Sequence, residues 1–321
     1  MITRRTLIAG SLSLLSTRRS AEADDLPIVG SLFIGGPGSY TWKRLVADMS
    51  TLGYADGVTV RYAPRFTPDP AQLPSLASEI AALSPRAVYA NGDEPARVAA
   101  AQWASVPIVA LTDDHVGAGL TNSMSHPSRN VTGVSRLESE LDTKRLGLLH
   151  ELVPAAKVVL VLRDPQTTWP ARTAALKEAS ERLGLNLFTR DIGGGADVDP
   201  AVAAGEVAGA RAMLVLGSPL LTSSDVESLI RRAAMAHHLP TMVQIPRQVA
   251  WGNLAGYGID EEATFVRLAQ MLDRVLKGTP PTNIPIEQPT KFQLSINLRV
   301  AHEIGLTVPD SLLSQADEVV E

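Results

Sequence analysis

The chain contains no cysteine. That removes disulfides, thiol catalysis and cysteine-ligated metals together, along with the lipid-attachment cysteine that an envelope lipoprotein needs. No Lys/Arg block follows the N-terminus and the net charge is −5, so a nucleic-acid partner has no electrostatic footprint. Beyond the N-terminal segment no stretch approaches the roughly 18 uninterrupted apolar residues of a membrane span. Catalytic signatures are missing too. There is no G-x-S-x-G elbow, no H-E-x-x-H and no P-loop, and Gly36-Pro37-Gly38 lacks the third glycine of a dinucleotide fingerprint. What remains is 321 residues, 45% hydrophobic and 20% charged. Such a chain is long enough for two lobes, and its composition excludes disordered or collagenous classes.

The N-terminus reads as an export signal over residues 1–23. Thr3, Arg4 and Arg5 precede an apolar run over 7–15, and Ala21-Glu22-Ala23 has the small-x-small form of a cleavage site. The paired arginines resemble the twin-arginine type, with a Sec signal as the alternative. The mature protein is therefore expected in the periplasm from about Asp24, as a monomer without a lipid anchor.

The mature chain is organised around residues 107–135. Residues 107–111 are short, apolar and β-branched, as a strand buried on both faces requires, and Thr112, Asp113, Asp114 and His115 crowd polar groups at its carboxyl end. Upstream, strands over 26–34, 58–62 and 87–90 alternate with helices after residue 40, over 73–83 and after Asp93. Asp93 is the expected N-cap, with Pro95 in the first turn. Downstream the rhythm repeats, with a helix over 138–152, a strand over 157–162 and a helix over 168–183. Further strands are expected over 186–190, 212–216, 241–244 and 253–258, and a last helix over 297–304. Leu52-Gly53 and Leu183-Gly184 occupy equivalent places as helix ends. The fold class is α/β, with two similar Rossmann-like lobes, parallel sheets and three interlobe crossings. The expected division is 24–133 with 256–283 in one lobe, and 134–255 with 284–321 in the other. Such a hinge permits closure around a ligand.

Ligands in open α/β sheets bind outside the carboxyl ends of strands. The candidates are Gly36, Ser39, Tyr40, Asn91, Gly92, Asp93, Thr112, Asp113 and Asp114 in the first lobe. In the second they are Asp164, Thr167, Trp169, Gly217, Ser218 and Gln244, and Tyr257 joins the set as a ring able to stack. Ser39, Asp93 and Ser218 also suit helix capping, and Asp113 and Asp114 suit capping of their own loop. Arg163 is placed to hold a carboxylate, and the aspartates suit an amine on the same ligand. His115 reads equally as a ligand contact or a surface turn residue. His237 and His238 read as an exposed helix end, their side chains about 100° apart and unsuited to share a metal. Trp42 and Trp103 read as core. Asn130-Val131-Thr132 matches a glycosylation sequon but is read as the start of a crossing strand. No cofactor or metal is expected.

Glu287-Gln288-Pro289-Thr290-Lys291-Phe292 continues through Ile296-Asn297-Leu298, Ala301, Gly305-Leu306-Thr307, Pro309 and Leu312-Leu313 to Ala316-Asp317-Glu318-Val319. With Asn130-Val131-Thr132-Gly133, Lys144-Arg145-Leu146, Gly119-Leu120 and Tyr257-Gly258, this resembles the periplasmic substrate-binding proteins of ABC transporters, in the branch of the tryptophan/tyrosine-type binders. The resemblance implies a type I periplasmic binding fold that hands a small solute to an inner-membrane permease without catalysis. The departures are Asp114-His115-Val116-Gly117, Pro127-Ser128-Arg129-Asn130 and Arg163-Asp164-Pro165, all in loops that would meet a ligand. The reading is an ABC-transporter solute-binding protein for an amino-acid-like or aromatic carboxylate. The alternative is an exported racemase or lyase using the same cleft, and a third reading is a periplasmic sensor.

Overall fold

A computed structural model describes residues 26–168 and 170–321. The export signal and Trp169 lie outside the described residues. The chain runs β1 (Ile28–Ile34), α1 (Tyr40–Thr51), β2 (Arg61–Thr67), α2 (Leu73–Ala81), β3 (Ala87–Asn91), α3 (Asp93–Gln102), β4 (Ile108–Thr112) and β5 (Val131–Ser135). It continues α4 (Glu138–Leu152), β6 (Val158–Arg163), α5 (Pro170–Leu183), β7 (Asn186–Asp191), α6 (Val198–Val207), β8 (Ala212–Val215), α7 (Ser224–Ala236) and β9 (Thr241–Val243). The remainder is β10 (Ala255–Ile259), α8 (Glu261–Leu276), β11 (Phe292–Asn297), α9 (Leu298–Glu303), α10 (Asp310–Leu313) and β12 (Glu318–Val320).

These elements make two sheets with one repeated order, β2-β1-β3-β4-β5 in the first and β7-β6-β8-β9-β10 in the second, the second extended by β11 and β12. The pairings β1 with β2 and β3, β3 with β4, and β6 with β7 and β8 are parallel, whereas β11 runs antiparallel to β10. The chain therefore forms two units. One comprises the described residues up to Leu111 with Ala118–Gly133 and Phe265–Ile286. The other comprises Thr112–Gly117, Val134–Thr264 and Glu287–Glu321. Apart from the short excursion Thr112–Gly117, the chain passes between units three times.

Burial explains the strand pattern. In β6, Val159 and Val161 face the core under α4 and α5, while Leu160 and Leu162 face the core under α6 and α7. A strand covered on both sides reads as an unbroken apolar run. Gly53 and Gly184 follow α1 and α5 with φ 93° and 66°, which confirms that both helices end at the equivalent point. Trp103 is core. Trp42 is half-buried in an aromatic cluster, with ring centroids 5.6 Å from Phe33 and 5.5 Å from Tyr62.

Several local expectations are corrected. The strand expected over 58–62 begins at Arg61, because Thr59 closes a turn first: its hydroxyl donates to the Gly53 carbonyl at 2.6 Å and accepts from the Ala55 N–H at 2.8 Å. Pro64 lies inside β2, which has a single neighbour, and an edge position tolerates its missing N–H. Gly92, at φ 111°, is the N-cap of α3, and Asp93 is instead its first residue. The strand expected over 253–258 is β10, a member of the second sheet. The helix expected over 297–304 is α9, with Asn297 as its N-cap accepting from Val300 N–H at 3.0 Å.

Among the described residues Gly133 marks the tightest approach of a glycine to another stretch of backbone. It has φ 145°, and a Cβ there would lie 1.8 Å from the Ala110 carbonyl oxygen. Both backbone strain and collision oppose a side chain. Gly133→Ala should cost at least about 2 kcal/mol of stability, read as a lowered urea midpoint; an unchanged midpoint would contradict the packing described.

Candidate functional site

In a 2-1-3-4-5 strand order the connections reverse between the first and third strands, and ligand-binding loops gather there. In the first unit that point lies between the carboxyl ends of β1 and β3. Gly36 is exposed there, and Tyr40 sits at the start of α1 with its ring edge-on to Phe265. Ser39 occupies the N-cap position of α1 without a side-chain capping bond; its hydroxyl lies 2.7 Å from that of Thr41. Asn91 closes β3 and accepts a 3.1 Å bond from the Tyr89 hydroxyl. Gly92 and the buried Asp93 open α3.

In the second unit the corresponding point lies between β6 and β8. Asp164 follows β6 and is spent on its own turn, accepting from Gln166 N–H at 2.9 Å and from the Thr167 hydroxyl at 3.1 Å. Ser218 accepts from Leu221 N–H at 3.0 Å, so it caps a turn and not a helix. Arg163 is engaged with Asp191 at 2.5 Å, which answers its charge within its own sheet. Tyr257 lies in β10, its ring stacked on Phe292 with centroids 6.1 Å apart.

The loop after β4 belongs to the same unit. Asp114 accepts from Val116 N–H at 2.9 Å and caps the loop. The Asp113 carbonyl receives the Leu137 N–H at 3.1 Å and the Ser135 hydroxyl at 3.0 Å. The Asp113 carboxylate accepts from Arg136 Nε at 3.1 Å. His115 is fully buried, with Nδ1 2.6 Å from the Thr112 hydroxyl, so the surface-turn reading does not hold. His237 is half-buried and lies 2.7 Å from Glu206. Among the described residues no group of His, Cys, Asp and Glu side chains could hold a metal ion.

What the sequence reading missed is a buried charge network that joins these loops. Leu137, held in the left-handed region at φ 63°, turns the chain into α4. That helix then buries Glu138, Asp142 and Arg145. Arg145 donates from Nη1 to Glu138 at 2.9 Å and to Asp142 at 2.8 Å, and from Nε to the Tyr257 carbonyl at 2.7 Å. Arg172 of α5 donates to Asp142 and, from Nη1, to the Gly217 carbonyl at 3.0 Å. Glu138 accepts from Gln244 Nε2 at 2.6 Å. Gln244 lies against Gly217 so closely that a Cβ on the glycine would come within 1.4 Å of Oε1. The detectable signal was Glu138, Asp142 and Arg145 at i, i+4 and i+7, charges at the spacing of a buried face.

Burial sets the titration of this network. It pushes the Asp113 carboxyl up, an effect that Arg136 only partly offsets. Burial works the same way on Glu138, but Arg145, Arg172 and Arg136 outweigh it and hold the carboxyl below its ordinary range. Burial disfavours the Arg172 cation, and Asp142, Glu138 and Asp113 together more than restore it. The arginines, carboxylates and both backbone carbonyls are thus bonded to one another in the interior, and the half-buried Gln244 amide stands at the edge of the network.

The family model for ABC transporter substrate binding proteins matches residues 32–320. The chain belongs to that family. The sequence resemblance pointed to the same family. A curated relative, the tyrosine-binding protein of Clostridioides difficile (strain R20291), is 24% identical over 259 residues, covering 79% of this chain and 73% of the relative. Two solved structures share the fold at TM-score 0.81. One is a conserved domain protein of Vibrio cholerae, 22% identical and covering 92% of this chain and 100% of that one. The other is an ABC domain from Streptococcus pneumonia in complex with L-Trp, 21% identical with the same coverage. Among this family member's described residues no helix is long and apolar enough to cross a membrane.

Two stability outcomes follow. Asp142→Asn leaves two buried guanidiniums undercompensated and should cost about 3 to 5 kcal/mol, measured by urea unfolding at pH 7. Glu138 has a depressed folded-state pKa, so its contribution is present above the ordinary carboxylate pKa and is lost as pH falls through the folded value. The stability gap between wild type and Glu138→Gln should therefore be widest at neutral pH and narrow in acid; a gap independent of pH would contradict the ionised assignment.

Proposed function

We propose that this protein is the periplasmic solute-binding component of an ABC importer. It captures a small amino-acid-like or aromatic carboxylate by hinge closure of its two units and passes it, chemically unaltered, to an inner-membrane permease. The observation that carries the reading is the family match across residues 32–320. The ligands named for a tyrosine-binding relative and an L-Trp complex support the substrate class. The contacts proposed are the residues at the carboxyl ends of β1, β3, β4, β6, β8 and β9, with Tyr257 and Trp169 as rings able to stack. In this reading the protein is exported, works as a monomer without a cofactor, and takes no nucleic-acid partner. About three charge-assisted hydrogen bonds at roughly 1.5 to 3 kcal/mol each supply a large share of the roughly −8 kcal/mol of a micromolar site, and burial of the ligand's ring must supply the rest against the costs of ordering.

Thermal-shift screening of the mature protein against the amino acids and a set of aromatic acids tests the proposal. A ligand at about 100 times its Kd adds roughly 2.7 kcal/mol, so a clear rise in melting temperature is expected with at least one small carboxylate. Silence across the panel from folded protein would rule out the ligand class, and turnover of a bound compound would rule out the transport reading.

A further inference from the structure

The amide of Gln244 has two ends, and the structure distinguishes them. Nε2 donates to Glu138 Oε1 at 2.6 Å. Glu138 Oε2 is itself held by Arg145 Nη1 at 2.9 Å, with Arg172 Nη2 3.8 Å away. A carboxylate in that setting accepts hydrogen bonds and donates none, so the NH₂ end of Gln244 must face it. The flipped amide would set oxygen against oxygen. The carbonyl end, Oε1, is thereby turned away from Glu138 and lies over Gly217, in the space a side chain would fill. Among the described residues no hydrogen bond ends on Oε1. Gln244 is half-buried, at the carboxyl end of β9 beside the end of β8. The direction of the Glu138 pKa agrees with this assignment, since the arginines keep the carboxyl ionised.

We propose that Gln244 presents its carbonyl oxygen as the acceptor for an amino group of the ligand, with Glu138 as the positioning residue that fixes the amide. The inference rests on the reading of the site given above and sharpens it, because it selects amine-bearing carboxylates over their deaminated counterparts. Lost acceptors of this kind, facing a charged donor, change affinity on the order of 10- to 100-fold.

The test compares paired probes on the mature protein by calorimetry: L-tyrosine with 3-(4-hydroxyphenyl)propionate, and L-tryptophan with 3-indolepropionate. Wild type should favour the amine-bearing member at least tenfold. Gln244→Met, which keeps the length and loses the acceptor, should bring that ratio to within about threefold of unity, with the deaminated probe bound much as before. Glu138→Gln frees the amide to turn and should lower the ratio in the same way, a change that simple loss of stability would not produce. Should Glu138→Gln not fold, the wild-type ratio and Gln244→Met still decide the matter. Equal binding of both members by wild type, or a full ratio retained in Gln244→Met, overturns the inference alone. Silence toward both series overturns the underlying ligand class and the inference with it.

Discussion

The charge balance inside the second unit is the constraint on which its site depends. Arg145 and Arg172 are almost wholly withdrawn from water, as are Glu138 and Asp142. Two guanidiniums in such surroundings are tolerable only beside two carboxylates with well-formed hydrogen bonds. Buried pairs add little net stability compared with well-packed apolar residues, so the network is better understood through what it holds in place. It fixes α4 to α5 through Asp142, the end of β8 through the Gly217 carbonyl, β10 through the Tyr257 carbonyl, and the end of β9 through Gln244. Five separate segments of chain are thus tied together by one set of charges.

That set lies beside the point where the strand order of the second sheet reverses. The two sheets share the order β2-β1-β3-β4-β5 and β7-β6-β8-β9-β10, and in each the connections reverse at one point. In the first unit the residues beside it include Gly36, Ser39, Asn91, Gly92 and the buried Asp93. In the second, the loops rest on the ionic network. The repeated scaffold is therefore furnished differently in its two copies.

The alternation of strands and helices was legible because strands such as β6 are apolar on both faces and glycine closes the helices. The start of β2 was not legible, since Pro64 counts against a strand until its place at the sheet edge is known. Gly92 took the capping position assigned to Asp93 because its φ of 111° suits glycine alone, a backbone fact that side-chain preferences do not reveal. For the site, position at a strand's carboxyl end drew attention to Gly217 and Gln244. It equally drew attention to Asp164, Asp114 and Ser218, which also hydrogen-bond within their own turns. The network itself went unread because Glu138, Asp142 and Arg145 look like the solvated side of a helix, and only their partners on α5 and β10 show that they point inward.

Pro64 has a further effect beyond its own strand. An outermost strand carries unpaired amides along its free margin and can recruit a strand from another molecule. On β2 that margin includes a residue without an amide hydrogen, and the neighbouring Arg65 is paired with Glu79 at 2.7 Å. A strand added along that margin would find no donor at Pro64, so one rung of its ladder would go unmade.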